Sequence, residues 1–142
     1  MKKTALVFLS LVALTVSAQK IKETAVPEAV LVSFKSNYKD VRAKWEKEKD
    51  GNFEAEFLVN KVESSVTYSA AGKLIETEKE MEMSLLSKPI TDYIHQNFSA
   101  YKITEASTIT DAQGVLSYEA EISKGAKSMD LIFDEKGNFV RK

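Results

Sequence analysis

The chain has 142 residues, with 20 lysines and arginines against 21 aspartates and glutamates, and a formal net charge of −1. That length suits one domain with a sizeable hydrophobic core. The absence of cysteine excludes disulfides, thiolate catalysis, zinc–thiolate sites and iron–sulfur clusters. A charge so close to zero does not supply the basic field of a nucleic-acid-binding protein.

Residues 1–18 have the pattern of a cleaved secretory signal. A basic start at Lys2 and Lys3 precedes an apolar run from Ala5 to Val16, which ends in the small residues before Gln19. The run is too short to cross a bilayer. We expect a periplasmic or secreted mature chain without a membrane span; the alternative is a buried or membrane-anchoring helix.

The first half reads as one helix followed by strands. Residues 19–25 are polar, and we expect a flexible leader there. Pro27 to about Lys39 carries apolar residues at helical spacing and predicts an amphipathic helix. Alternating apolar and polar residues then predict strands around Trp45, over 53–57, over 62–68 and from Leu74 onward.

The pattern restarts at Ser87-Lys88-Pro89. Apolar residues at 90, 94, 98 and 101 predict a second amphipathic helix. Alternation predicts further strands over 103–109, 118–122 and 129–133, and a short last strand at 139–140.

One strand sequence occurs twice: Phe53-Glu54-Ala55-Glu56-Phe57 recurs 65 residues later as Tyr118-Glu119-Ala120-Glu121-Ile122. Gly72 and Gly137 have the same spacing, and Pro27 and Pro89, 62 residues apart, mark the two helix entries. We therefore predict an α+β fold made by tandem duplication, with units at 26–86 and 87–142. In each unit one amphipathic helix packs on an antiparallel sheet of about four strands, and edge-to-edge joining would make one sheet.

The two halves carry a matching series of short motifs. Those in the first half are Pro27-x-Ala29-Val30, Tyr38-x-x-Val41-x-x-x-Trp45, 53–57, and Gly72-Lys73-x-x-Glu76-Thr77-Glu78. Those in the second half are Pro89-Ile90, 118–122, and Asp134-x-x-Gly137-Asn138-Phe139. Together with the repeat and the signal, these motifs resemble the PepSY-like, β-lactamase-inhibitor-like family of exported Bacteroidetes-type proteins. The resemblance implies a non-catalytic periplasmic module of two tandem units; related inhibitors grip an enzyme with the exposed concave face of the joined sheet.

The candidate site is the polar face of the predicted sheet. Its glutamates could meet a basic protein or peptide, or bind calcium or another small ligand through hard oxygens. The alternative is a solvated face whose charges are offset by Arg42, Lys44 and Lys61 on neighbouring strands. The candidate partner-binding residues are Glu54, Glu56, Glu76, Glu78, Glu119, Glu121, Arg42 and Lys44.

Nothing in the sequence indicates an enzyme or a bound cofactor. His95 is the only histidine, and no nucleophile motif accompanies it as a catalytic triad would require. We expect His95 to be an exposed or rim residue of its helix. Trp45 is expected in the core, although an outward orientation would make it an anchor for a partner.

Overall fold

The computed structural model describes residues 19–141 as one nine-stranded antiparallel sheet and two α-helices. The strands lie side by side in chain order, and the predicted α+β class is confirmed. The helices are α1 (Glu28–Asn37) and α2 (Lys88–Asn97). The strands are β1 (Gln19–Ile21), β2 (Lys44–Lys47), β3 (Phe53–Val59), β4 (Val62–Tyr68), β5 (Leu74–Glu80), β6 (Lys102–Asp111), β7 (Leu116–Lys124), β8 (Lys127–Asp134) and β9 (Phe139–Arg141).

Both helices lie on the same face of this sheet, each over its own hydrophobic core. Val30 and Phe34 of α1 and Ile90 and Ile94 of α2 are at most 2 % exposed, and such burial contributes about 1.5–3 kcal/mol per large side chain. Together with Val26, the first core contains Trp45, Phe53, Ala55, Phe57, Val66 and Tyr68. The second contains Leu86, Ala106, Ala120, Ile122, Leu131 and Phe133. Trp45 is thus a core residue, as expected.

The central strand β5 joins the two halves of the sheet. It pairs with β4 along one edge, where Thr77 lies opposite Val66, and with β6 along the other, where Thr77 lies opposite Thr110. The predicted joining into one sheet is confirmed. The helix-side residues at this junction include Thr77, Thr108 and Thr110, which accounts for two separate cores rather than one.

The helices are 60 residues apart, whereas β3 and β7 match at a spacing of 65. Pro27 occupies the N-cap position of α1, but Ser87 caps α2 and Pro89 lies inside it, so the two prolines are not equivalent. The extra residues belong to the second half and lie between α2 and β7, the second strand of its first hairpin. A bulge between Ile103 and Glu105 and the longer strands β6 and β7 accommodate them.

Residues 19–25 are not the flexible leader that we expected. Ile21 in β1 pairs with Trp45 in β2, and a single 3-10 turn, Glu23–Ala25, leads into α1. Strand β1 covers the outer edge of β2, in the same way that β5 covers the equivalent edge of β6. The predicted signal, residues 1–18, lies outside the described residues. Within 19–141, no helix is long and apolar enough to cross a membrane.

Candidate functional site

The sheet face opposite the helices, here called the open face, carries the candidate glutamates. Alternation along β3 and β7 buries the alanine of each repeated sequence and turns its glutamates outward, while β5 presents Glu76 and Glu78 on the same side. The register aligns them across strands: Ser65 of β4 lies opposite Glu56 on one side and Glu78 on the other. The six glutamates therefore share one face.

A groove of about 780 Å³ lies on the open face of the first half and reaches the β5–β6 junction. Five of the eight candidate residues line it: Arg42, Lys44, Glu54, Glu56 and Glu78. The other three, Glu76, Glu119 and Glu121, lie outside its lining. The remaining polar lining is Asp40, Glu63, Glu80, Glu105, Ser64, Ser65 and Ser107, and the apolar lining is Val41, Ala43, Phe57 and Leu58.

Glu54 is half-buried on the open face, and burial raises its pKa to about 7. A hydrogen bond with the Ser65 hydroxyl opposes the shift, because it stabilises the carboxylate. The negative charges of Glu48, Glu78 and Glu56 add to it. Glu54 is therefore partly protonated at neutral pH.

Glu119 has a larger shift, and burial raises its pKa to about 8. It lies between Ser107 of β6, which is 2 % exposed, and Ile132 of β8, which is 9 % exposed although it faces away from the helices. These neighbours exclude water from the carboxyl group, and the nearby charges of Glu78 and Asp130 raise the pKa further.

Glu78 lies on β5 at the junction of the two halves. Burial raises its pKa, a hydrogen bond with the Ser107 hydroxyl opposes the rise, and Glu76, Glu105 and Asp130 repel the ionised form. The pKa values of Glu105 and Asp130 are raised as well, for both mainly by burial. The open face at and beside the junction therefore holds several carboxyl groups whose pKa values lie above their ordinary range.

The alternative, a face whose charges are offset by neighbouring cations, gains no support from ion pairs. Arg42, Lys44 and Lys61 form no ion pair within residues 19–141, although Lys44 lies directly opposite Glu56. The ion pairs found there, Lys35–Glu23 and Lys88–Asp92, involve helix residues. No cation is among the groups that shift the pKa of Glu54, Glu78 or Glu119.

Sequence reasoning missed Ser107, Glu105 and Asp130. Ser107 gave no local signal, because its burial depends on the strands beside it. Asp130 could have been found, since it lies 65 residues after Ser65, at the equivalent place in β8. His95 is exposed on α2, as predicted.

One group of carboxylates has the spacing of a cation site. Oxygen atoms of Glu46, Glu54 and Glu56 lie within 4.8 Å of one another, since Glu46 of β2 is directly opposite Glu54. Carboxylate oxygens are ligands that calcium prefers.

The fold and this site define an α+β sheet module with one face backed by helices and one acidic, grooved face. Residues 14–76 and 51–141 match the family described as "Putative beta-lactamase-inhibitor-like, PepSY-like". The second match alone covers more than half of the chain, which therefore belongs to the PepSY-like family, as the resemblance indicated. No curated protein matches the sequence.

Solved structures of Bacteroides proteins share the fold. A "putative periplasmic" protein of Bacteroides eggerthii aligns with a TM-score of 0.67 and 13% identity, over 82% of this chain and 86% of its own. A DUF2874 family protein of Bacteroides ovatus aligns with a TM-score of 0.64 and 14% identity, over 81% of this chain and 84% of its own. A BLIP-like protein of Bacteroides fragilis aligns with a TM-score of 0.59 and 19% identity, over 81% of this chain and 84% of its own.

Proposed function

We propose that this chain is a non-catalytic, inhibitor-like binding module of the periplasm that holds a protein or peptide partner against its open face. The observation that carries the proposal is the groove of about 780 Å³ on a sheet face that the helices leave uncovered. Membership of the PepSY-like family and a BLIP-like structural neighbour support a protein partner.

The same proposal includes a tandem duplication, with units at 26–86 and 87–142. Two overlapping family matches support it, as do the order helix, hairpin, hairpin in both halves and the two separate cores. We propose that each unit contributes one helix and about four strands to the shared sheet.

Export through a signal at residues 1–18 belongs to this proposal. Its support is the basic and apolar start of the sequence and a structural neighbour described as a "putative periplasmic" protein. A periplasmic chain would meet its partner in the cell envelope.

The test compares proteins captured from a periplasmic extract of the source organism by three forms of the mature chain. These are the wild type, an open-face variant with alanine at Glu54, Glu56, Glu76 and Glu78, and a control variant. The control has alanine at Glu28, Asp92 and Glu135, which lie on the helices and on the β8–β9 turn. Thermal unfolding of all three checks that they fold.

The proposal predicts one partner that the wild type and the control retain in fixed stoichiometry, and that the open-face variant loses. Purified partner must then bind the wild type at least about tenfold more tightly than the open-face variant, a difference of about 1.4 kcal/mol. Recovery of no protein that depends on the open-face glutamates contradicts the proposal.

A second candidate function, binding of a cation or small envelope ligand, is favoured by the spacing of Glu46, Glu54 and Glu56. A thermal-shift titration with calcium tests it, because a ligand at 100 times its Kd stabilises the folded state by about 2.7 kcal/mol. The expected result is an upward shift that E46Q/E54Q/E56Q abolishes. An unchanged unfolding temperature at millimolar calcium contradicts calcium binding, and a flat response to envelope fragments contradicts the wider candidate.

A further inference from the structure

We propose that the groove receives a cationic segment of the partner, a loop or extended peptide with lysine or arginine, whose charge binds at the β5–β6 junction beside Glu78 and Ser107. The inference rests on the proposed function and specifies the partner's chemistry and the regulation of its binding by pH.

The geometry at the β5–β6 junction carries the first step. Glu78 on β5 hydrogen-bonds the buried hydroxyl of Ser107 on β6, and Ser107 lies directly opposite Glu119 on β7. Glu78 and Ser107 both line the groove. Two carboxyls on different strands thus flank one buried hydroxyl at the end of an open cleft.

The charged groups around these two carboxyls are almost all acidic. Those on the open face of the strands packed beside them are Glu63, Glu76, Glu80, Glu105, Asp111, Glu121, Asp130 and Asp134, with Lys102 at the start of β6 as the one cation among them. The nearest cations by register are Arg141, two strands from Glu119 across Ile132, and Lys44, three strands from Glu78 across Glu56 and Ser65. The protein leaves this end of the groove without a counter-charge of its own.

The shape of the groove favours a side chain with a long apolar stem over a bare ion. Its wall includes Val41, Ala43 and Leu58, and Leu58 is 62 % exposed although it lines the groove. Lysine and arginine place their methylene groups on apolar surface while the charged end reaches a polar site. A segment entering along this wall would therefore bring its charge towards Glu78.

Proton release follows from the same arrangement. Burial and neighbouring negative charges raise the pKa values of Glu78 and Glu119, the latter to about 8, so both carboxyl groups favour the protonated form more than an ordinary glutamate does. An incoming cation favours the ionised form, and each proton that it displaces passes to the buffer. Affinity must then rise as pH rises through the range in which the free protein still holds those protons.

Isothermal titration calorimetry of the mature chain with a blocked Gly-Lys-Lys-Lys-Gly peptide tests the inference. The matched probe is the same peptide with acetylated lysines, which keeps the length but removes the charge. Titrations at about pH 6 and about pH 8, at one salt concentration and in buffers of different ionisation enthalpy, measure affinity and protons released. The variants are E78Q/E119Q and the control with alanine at Glu28, Asp92 and Glu135.

We expect the lysine peptide to bind at least about tenfold more tightly at pH 8 than at pH 6, with net proton release. The acetylated peptide should bind more weakly, and E78Q/E119Q should lose both the affinity and its pH dependence, while the control variant behaves as the wild type. Equal binding of the two peptides, or an affinity that does not change with pH, overturns the inference.

A titration of the free protein separates failure of the inference from failure of the proposed function. Carboxyl chemical shifts measured by NMR should show Glu78 and Glu119 losing protons above the ordinary pKa of glutamate. Ordinary titration of both overturns the inference and leaves the proposed partner-binding face untouched. Elevated titration together with lysine-peptide binding, but no captured partner that depends on the open face, contradicts the proposed function instead.

Discussion

Glu54 and Glu119 occupy the same position in the two copies of one strand sequence, yet their carboxyl groups differ. Burial raises both pKa values, to about 7 for Glu54 and to about 8 for Glu119. In the first half, Ser65 of β4 hydrogen-bonds Glu54 and lowers its pKa. The equivalent residue of β8 is Asp130, whose negative charge raises the pKa of Glu119.

The residues directly opposite these two glutamates on the next strand also favour a higher pKa for Glu119 than for Glu54. Glu54 faces Thr67 across β4, whereas Glu119 faces Ile132 across β8. A hydroxyl-bearing neighbour can solvate a charge, and an isoleucine excludes water from it. The shared Glu-Ala-Glu sequence therefore fixes the direction of a glutamate but not its protonation, which depends on the strands beside it.

The largest expected effect lies on the buried side that both strand sequences share. Phe57→Ala and Ile122→Ala remove equivalent core side chains of the two halves, which are 6 % and 0 % exposed. Each should lower the free energy of unfolding by about 3–4 kcal/mol, because a cavity replaces close packing. Urea unfolding measures this loss; a loss below about 1 kcal/mol in either variant would contradict the assignment of two tightly packed cores.

The two equivalent glycine turns should respond unequally to alanine. A Cβ at Gly72 would overlap the carbonyl oxygen of Ala29, whereas one at Gly137 would lie 3.0 Å from Pro89 Cβ. Both glycines have positive φ, so alanine is strained at each, and we expect losses of about 2–3 kcal/mol at Gly72 and about 1–2 kcal/mol at Gly137.

Gly114→Ala is the matched control, since Gly114 also has positive φ but a Cβ there would meet no atom within 4 Å. It reports the backbone strain alone, measured by the same urea unfolding. Equal losses at Gly72 and Gly114 would show that the turn does not press against α1.

The raised carboxyl pKa values predict a stability that falls as pH rises. Glu54 and Glu119 bind protons more tightly in the folded than in the unfolded chain, so their contribution is complete near pH 4.5 and is lost as pH passes about 7 and about 8. Glu119→Gln should therefore raise the free energy of unfolding at high pH by about 1–2 kcal/mol, after allowance for solvent screening, and change little at pH 5.

Glu54→Gln should show the same pattern with a smaller gain, because the pKa of Glu54 is less raised. Chemical unfolding of both variants and the wild type at about pH 5 and about pH 8.5 makes the measurement. The comparison between the two halves fails if Glu54→Gln stabilises the protein more than Glu119→Gln.

The smallest effect is expected when the residues at positions 65 and 130, beside Glu54 and Glu119, are exchanged. This exchange is the most direct test of why the two pKa values differ. Asp130→Ser should lower the pKa of Glu119, since it removes a negative charge, and Ser65→Asp should raise that of Glu54, since it removes a hydrogen bond and adds a charge. Carboxyl titration by NMR follows both. Unchanged pKa values in both variants would assign the difference to Thr67 and Ile132 instead.

The sequence by itself determined the local structure. Alternation along 53–57 and 118–122 placed alanine in the core and glutamate on the opposite face, because neighbouring side chains of a strand point to opposite sides. Helical spacing located α1 and α2, and the repeat indicated two matching halves. These features depend on residues a few positions apart, which a single chain displays directly.

The tertiary structure alone decided what lies beside each side chain. Residues 19–21 gave no strand signal of their own, and only pairing with β2 makes them β1. Lys44 lies opposite Glu56 yet makes no ion pair, and Ser107 is buried because β5 and β7 flank it. Strand register brings together residues far apart in sequence, so the alternation at Glu54 and Glu119 could predict their face but not their charge.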